Sequence, residues 1–272
     1  MILRVAILQY PIVWGDKKAN LQAAERRINR LKGKADIALL PEMFTTGFCT
    51  DHPELAETSD GGTIRFLQRL ANQSGVAIVS SFICEDEVVT QLNGSEQIQT
   101  QLFNRGFFVR PNDTPIFIDK AHLYAHGGED KFFSPGRART VVEYKGVKIR
   151  LLICYDLRFP VWTRLDKSNP YDVLLVSANW PEIRINYWDA LLAARGTENQ
   201  CYIAAANPVG DDGLGLHYNG HSMALDTHLN PIAQLGNNEA GTRIAEFDID
   251  KLHHFREVSP LWKDGDAYQI VD

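Results

Sequence analysis

Apolar and polar positions divide the chain into many short apolar segments and a few amphipathic ones. Over residues 17–32, apolar side chains recur every three or four positions, which predicts a helix with one apolar face. Further helices are predicted over residues 63–74 and 185–199. Strands are predicted over residues 2–9, 36–40, 76–82, 102–109, 115–119, 147–154, 172–178, 202–207, 221–226, 231–235 and 243–248.

These elements alternate between strand and helix in the first half of the chain, and strands follow one another in the second half. The sequence contains no low-complexity linker and no repeat. We therefore expect one compact domain over residues 1–272, of a layered α/β class. The tail from about residue 251 is rich in aromatic and charged residues, and we expect it to form an arm at an oligomer interface.

The composition narrows the class of protein. Hydrophobic residues make up 44% and charged residues 23% of 272, the balance of a globular protein with a sizeable core. A formal net charge of −6 argues against nucleic acid as a partner. No apolar run is long enough for a membrane span and the start does not resemble a signal peptide, so a cytoplasmic protein is expected.

The four cysteines are widely spaced, and neither they nor the histidines have the spacing of a metal motif. We therefore expect no disulfide framework, no metal and no cofactor.

Three predicted strands end in side chains of different chemistry. Cys154 ends one apolar strand, where a tight turn can present a nucleophile and the following backbone N–H groups can bind an oxyanion. Glu42 follows a second strand and is a candidate general base. Lys120 follows a third strand and could stabilise an oxyanion. Taken singly, each has a structural alternative: a core cysteine, a salt bridge at the rim of the sheet and an exposed lysine.

Together these segments resemble the nitrilase superfamily of carbon–nitrogen hydrolases. The resemblance lies in Leu-Leu-Pro-Glu-Met-Phe around Glu42, Asp-Lys-Ala-His-Leu around Lys120 and Leu-Ile-Cys-Tyr-Asp-Leu-Arg-Phe-Pro around Cys154. Ala-Arg-Gly-Thr-Glu-Asn from Ala194 and Ala-Asn-Pro-Val-Gly from Ala206 support it. The order and spacing agree over nearly the whole chain.

The resemblance implies a four-layer αββα sandwich that assembles into homodimers or larger oligomers. It implies a triad in which Glu42 takes the thiol proton of Cys154, while Lys120 and the backbone N–H of Tyr155 hold the oxyanion. A second family glutamate matches Glu129, with the adjacent Asp130 as the alternative. We expect the nearby lysine to favour the thiolate.

The residues that follow Cys154 resemble the omega-amidase branch, which hydrolyses the terminal amide of 2-oxo dicarboxylic acid monoamides. Arg158 is then the candidate for the substrate carboxylate, with a salt bridge to Asp156 as its structural alternative. Trp180 is expected to form an apolar wall of the pocket, with burial in the core or at an interface as its structural alternative.

Two other hypotheses stay open. One keeps the fold and the triad but changes the substrate, to an N-carbamoyl amine or amino acid, another aliphatic amide or a nitrile. The other is a non-catalytic binding or assembly protein.

Overall fold

A computed structural model of the protein describes residues 1–92 and 95–270. The helices are α1 (Lys17–Asn29), α2 (Gly62–Ser74), α3 (Pro160–Thr163), α4 (Ile185–Asn199) and α5 (Ile249–Val258). The strands are β1 (Ile2–Gln9), β2 (Ile37–Leu39), β3 (Ala77–Leu92), β4 (Ser95–Val109), β5 (Ile116–Asp119), β6 (Val142–Tyr144), β7 (Val147–Ile153), β8 (Val173–Ser177), β9 (Tyr202–Ala206), β10 (Val209–Asp211), β11 (His217–Asn219), β12 (Met223–Leu225), β13 (Pro231–Gln234) and β14 (Gly241–Asp248).

Two six-stranded sheets form the centre of the fold. The first has the order β14-β1-β2-β3-β4-β5 and the second has the order β13-β12-β9-β8-β7-β6, while β10 and β11 form a separate hairpin. In each sheet three central strands are parallel: β1, β2 and β3 in the first, and β7, β8 and β9 in the second. The carboxyl ends of parallel neighbours lie at one edge of a sheet, where α/β proteins place their sites.

Three apolar layers hold these sheets and helices together. The middle layer joins the facing sides of the two sheets, with Val5 and Val79 from one and Leu151 and Leu175 from the other. A second layer packs α1 and α2 on the outer side of the first sheet, and a third packs α4 on the outer side of the second. The fold is therefore the expected αββα sandwich.

Local signals explain where the helices of the first half start and stop. Asp16 caps α1, since its carboxylate accepts a hydrogen bond from the N–H of Ala19 at 2.9 Å. Gly75 ends α2 in a left-handed conformation, with φ of 73°. Prediction and structure agree here to within a few residues, and α4 has the predicted bounds.

The main differences lie in β3, β4 and the chain end. Both strands continue past the predicted bounds into a hairpin whose outer part carries mostly polar residues, so no apolar alternation marks it. The segment expected to form an arm begins with α5, which buries Leu252 and Arg256 within this chain. A role of the tail at an oligomer interface stays a prediction. None of the helices within the described ranges is both long and apolar enough to cross a membrane.

Candidate active site

The ends of β2, β5 and β7 bring together three polar side chains from distant parts of the sequence. Glu42 follows β2, Lys120 follows β5 and Cys154 follows β7. The ammonium of Lys120 lies 2.9 Å from Oε1 of Glu42. All three side chains are buried. The alternatives that placed Glu42 in a salt bridge at the rim of the sheet and Lys120 at an exposed strand end are therefore wrong.

Glu42 is fixed through both of its carboxylate oxygens. Its Oε1 accepts hydrogen bonds from Lys120 and from Nδ2 of Asn104, at 2.9 and 2.7 Å. Its Oε2 accepts from the backbone N–H of Asn179 at 2.9 Å. A buried carboxylate with three donors has a defined orientation, as a general base requires.

Lys120 is a cation held between two carboxylates. Its Nζ lies 2.8 Å from Oε2 of Glu129 and 2.9 Å from Oε1 of Glu42. Burial by itself would lower the pKa of this ammonium, but Glu129 and Glu42 outweigh burial and raise the pKa above its ordinary value. Lys120 is therefore a permanent positive charge in the site at neutral pH.

Glu129, and not Asp130, contacts this lysine. The side chain of Glu129 is fully buried, whereas Asp130 is exposed. Besides Lys120, Glu129 accepts hydrogen bonds from Asn104 at 2.9 Å and from the backbone N–H of Tyr124 at 2.6 Å. Burial raises the pKa of Glu129, and Glu42 adds to that rise while Lys120 opposes it.

Cys154 occupies a sharp turn at the end of β7. It has a φ of 44°, a left-handed conformation that is costly for a residue other than glycine and is typical of functional turns. Its thiol points to the backbone carbonyl of Asn179, at 3.8 Å. Burial and the charge of Glu42 raise the pKa of this thiol well above its ordinary value, although Lys120 acts in the opposite direction. Lys120 therefore favours the thiolate as expected, but burial and Glu42 outweigh it, and the resting thiol is neutral.

Asp156 joins the Cys154 turn to the Lys120 segment. Its Oδ1 accepts hydrogen bonds from the backbone N–H and from Nδ1 of His122, both at 2.9 Å. Its Oδ2 accepts from the backbone N–H of Ile153 at 3.4 Å. The salt bridge considered between Asp156 and Arg158 is replaced by this contact with His122.

A pocket of about 590 Å³, including its open mouth, leads to Cys154. Tyr155, Arg158 and Trp180 all line it, as do residues of the segments that follow β2, β5, β8 and β10. The guanidinium of Arg158 packs over aromatic rings, 5.0 Å from that of Trp180 and 5.2 Å from that of Tyr187. Trp180 is both a wall of the pocket and a nearly buried core residue, 3% exposed.

Several site residues were missed from the sequence. Asn104 lies inside β4, and an asparagine within a strand carries no signal of function. Asn179 lies two residues after the end of β8, so its position near a strand end could have identified it. Arg184 and Asp212 line the pocket from loops. Among the residues that the structure describes, no group of three His, Cys, Asp or Glu side chains is placed to hold a metal ion.

Comparison with known proteins places this geometry in a family. A model of the carbon-nitrogen hydrolase family matches residues 4–257. Omega-amidase YafV of Escherichia coli (strain K12) is 37% identical to this chain over 98% of both chains. The 2-oxoglutaramate amidase of Bacillus subtilis (strain 168) is 32% identical over 96% of both. The crystal structure of XC1258 from Xanthomonas campestris, a CN-hydrolase superfamily protein, superposes with a TM-score of 0.90 at 32% identity and covers 100% of both chains.

Proposed function

The chain belongs to the carbon–nitrogen hydrolase family, and from this we propose that it is an omega-amidase that converts 2-oxo dicarboxylic acid monoamides to the 2-oxo acid and ammonia. Membership of this family makes the protein a hydrolase of carbon–nitrogen bonds in amides other than peptides. The substrates we propose are 2-oxoglutaramate and 2-oxosuccinamate. The observation that carries this choice is a guanidinium, that of Arg158, in the same pocket as the Cys154 thiol.

In the proposed first half-reaction, Glu42 accepts the thiol proton while the sulfur of Cys154 attacks the amide carbon. Because the resting thiol is neutral, proton transfer must accompany attack. The tetrahedral oxyanion is bound by the ammonium of Lys120 and the backbone N–H of Tyr155. The carbon–nitrogen bond then breaks, and ammonia leaves with the proton that Glu42 holds.

In the second half-reaction water hydrolyses the thioester. Glu42 takes a proton from the water, hydroxide adds to the carbonyl carbon, and the carbon–sulfur bond breaks as the thiol regains its proton. Glu129 acts through Lys120, since it fixes the ammonium and keeps it charged. The residues already in the site account for every proton in this scheme.

Substrate recognition is assigned to the far side of the pocket from the amide. Arg158 forms no ion pair with any acidic side chain in the described part of the chain, and its guanidinium is held between aromatic rings. A guanidinium binds a carboxylate through two parallel hydrogen bonds. Trp180 supplies the apolar wall along which the carbon chain of the substrate lies.

The experiment that tests this proposal is ammonia release from a panel of amides. The panel contains 2-oxoglutaramate, 2-oxosuccinamate, glutamine, asparagine, a carbamoyl amine, a neutral aliphatic amide and a nitrile, each with the protein and with Cys154→Ala. We expect the protein to release ammonia preferentially from the two 2-oxo amides, and we expect Cys154→Ala to release none. Turnover of another compound alone would discard the substrate but keep the triad. Silence across the panel would favour a non-catalytic role.

A further inference from the structure

A second guanidinium, that of Arg184, lines the same pocket as Arg158. Arg184 ends the short turn Glu182–Arg184 that follows β8, and its side chain is half-buried. Its backbone carbonyl accepts a hydrogen bond from Nε1 of Trp180 at 2.8 Å. Its guanidinium lies 5.3 Å from the centre of the Tyr124 ring and donates to the Tyr124 hydroxyl at 2.5 Å. Arg184 is therefore held in position from both its backbone and its side chain.

A pair of contacting aromatic rings links the two guanidinium groups. Arg158 lies 5.8 Å from the ring of Tyr155, and the rings of Tyr155 and Tyr124 are 5.1 Å apart. Both arginines act on the phenol of Tyr124: burial raises its pKa, and the charges of Arg184 and Arg158 oppose that rise. The two cations thus line one pocket and both act on the Tyr124 side chain.

The acidic residue of the described pocket lining, Asp212, does not neutralise them. Its Oδ1 accepts hydrogen bonds from the backbone N–H groups of Leu214 and Leu216, both at 2.8 Å. Its Oδ2 accepts from the hydroxyl of Tyr218 at 3.1 Å. Asp212 braces its own loop, and Arg184, like Arg158, forms no ion pair with a described acidic side chain.

We propose that Arg184 is a specificity-determining residue that binds the 2-oxo oxygen of the substrate next to the carboxylate held by Arg158. A 2-oxo acid presents three acceptor oxygens close together, one more than a single bidentate guanidinium can bind. A 2-amino acid presents an ammonium at the same carbon, which a second guanidinium repels. This inference rests on the proposed function and names the feature by which the site separates 2-oxo amides from glutamine and asparagine.

The test compares three amides of equal chain length: 2-oxoglutaramate, glutaramate, which lacks the oxo group, and glutamine. For Arg184→Gln we expect kcat/KM to fall about 10- to 100-fold with 2-oxoglutaramate, the effect of losing one charged hydrogen bond. The loss with glutaramate should be several-fold smaller, and the preference over glutamine should shrink at least tenfold. Arg184→Lys should retain part of the preference for 2-oxoglutaramate over glutamine. Glu182 is exposed on the same turn, and Glu182→Gln should leave kcat/KM unchanged with all three amides.

A binding measurement separates this inference from the proposed activity. Calorimetry on Cys154→Ala should give tighter binding of 2-oxoglutarate than of glutarate, and adding Arg184→Gln should abolish that difference. Equal losses on all three amides, or an unchanged 2-oxo preference in either assay, would overturn the role of Arg184. Absence of turnover with preserved selective binding would overturn the proposed omega-amidase activity but leave Arg184 as the selective residue.

Discussion

The ammonium of Lys120 lies 2.8 Å from Oε2 of Glu129, and both side chains are completely buried. Glu42 shares this ammonium, so one cation faces two carboxylates. Ionisation of both leaves one uncompensated negative charge in a dry site, and burial together with Glu42 consequently raises the pKa of Glu129. Glu129 thus fixes the ammonium that Glu42 also contacts, and it does so without itself taking part in proton transfer.

This relationship predicts the effect of Glu129→Gln. The amide keeps an acceptor for Lys120 and Tyr124 but removes one negative charge, so the ammonium is held less firmly. We expect kcat to fall roughly 10²- to 10³-fold, since misplacing one oxyanion donor costs about that much. Melting temperature and ammonia release should be measured together. Asp130→Asn, an exposed neighbour, should keep full activity, and an active Glu129→Gln enzyme would remove the glutamate from the proposed machinery.

The raised pKa of Cys154 gives a test in which two readouts move in opposite directions. Glu42 raises this pKa by charge repulsion, so Glu42→Gln should lower it and increase the thiolate fraction at a given pH. Alkylation by iodoacetamide should then be faster at pH 8, because more of the thiol is present as thiolate. Amide turnover should be lost in the same variant. Alkylation of the unmodified protein should still be increasing at pH 9, and a plateau at pH 7 would contradict the neutral resting thiol.

Asp156 is predicted to position both catalytic segments without touching substrate. One of its carboxylate oxygens accepts hydrogen bonds from the backbone N–H and from Nδ1 of His122, and the other accepts one from the backbone N–H of Ile153. Asp156→Asn replaces an acceptor by a donor, which should shift Cys154 relative to Lys120. We expect kcat to fall about 10- to 100-fold with KM nearly unchanged, the signature of misplaced reacting groups.

Asp166→Asn provides the comparison for that variant, because Asp166 is exposed and its carboxylate accepts hydrogen bonds from Ser168 in its own turn. It should leave kcat and KM unchanged. An increase in KM alone for Asp156→Asn would place Asp156 in substrate binding instead.

The positions that meet in the candidate site were predictable because strand ends leave a strong pattern. A buried strand is an apolar run, and a carboxylate, ammonium or thiol just after it stands out, as at Glu42, Lys120 and Cys154. A polar residue inside a strand leaves no such pattern. Asn104 bridges Glu42 and Glu129 from within β4, and only the pairing of β4 with its neighbours brings it there.

Burial was the other quantity that the sequence could not supply. From the sequence, Lys120 could lie at an exposed strand end or in a site. Its burial depends on the fold, in which β5 is the edge strand of one sheet and Glu129 contacts the ammonium. The net shift of the Cys154 pKa could not be predicted for the same reason: the sequence identified the lysine that lowers this pKa, but not the burial that raises it further. Charge type can be read from sequence, whereas desolvation requires the fold.

Cys201 predicts how the protein loses stability in alkali. It is fully buried next to β9, and burial raises its pKa to about 12, with Arg256 acting in the opposite direction. In the unfolded chain a thiol ionises near pH 8.5. The stabilising contribution is therefore complete below about pH 8.5 and is lost as pH rises towards 12, because only the unfolded state then releases the proton. One such group lowers the free energy of unfolding by about 1.4 kcal/mol per pH unit above pH 8.5, or by roughly 2 kcal/mol at pH 10.

Urea unfolding at pH 7.5 and pH 10 tests this contribution of Cys201. Between these two pH values, the free energy of unfolding should fall less for Cys201→Ala than for the unmodified protein. Parallel losses would mean that Cys201 does not stay protonated in the native state.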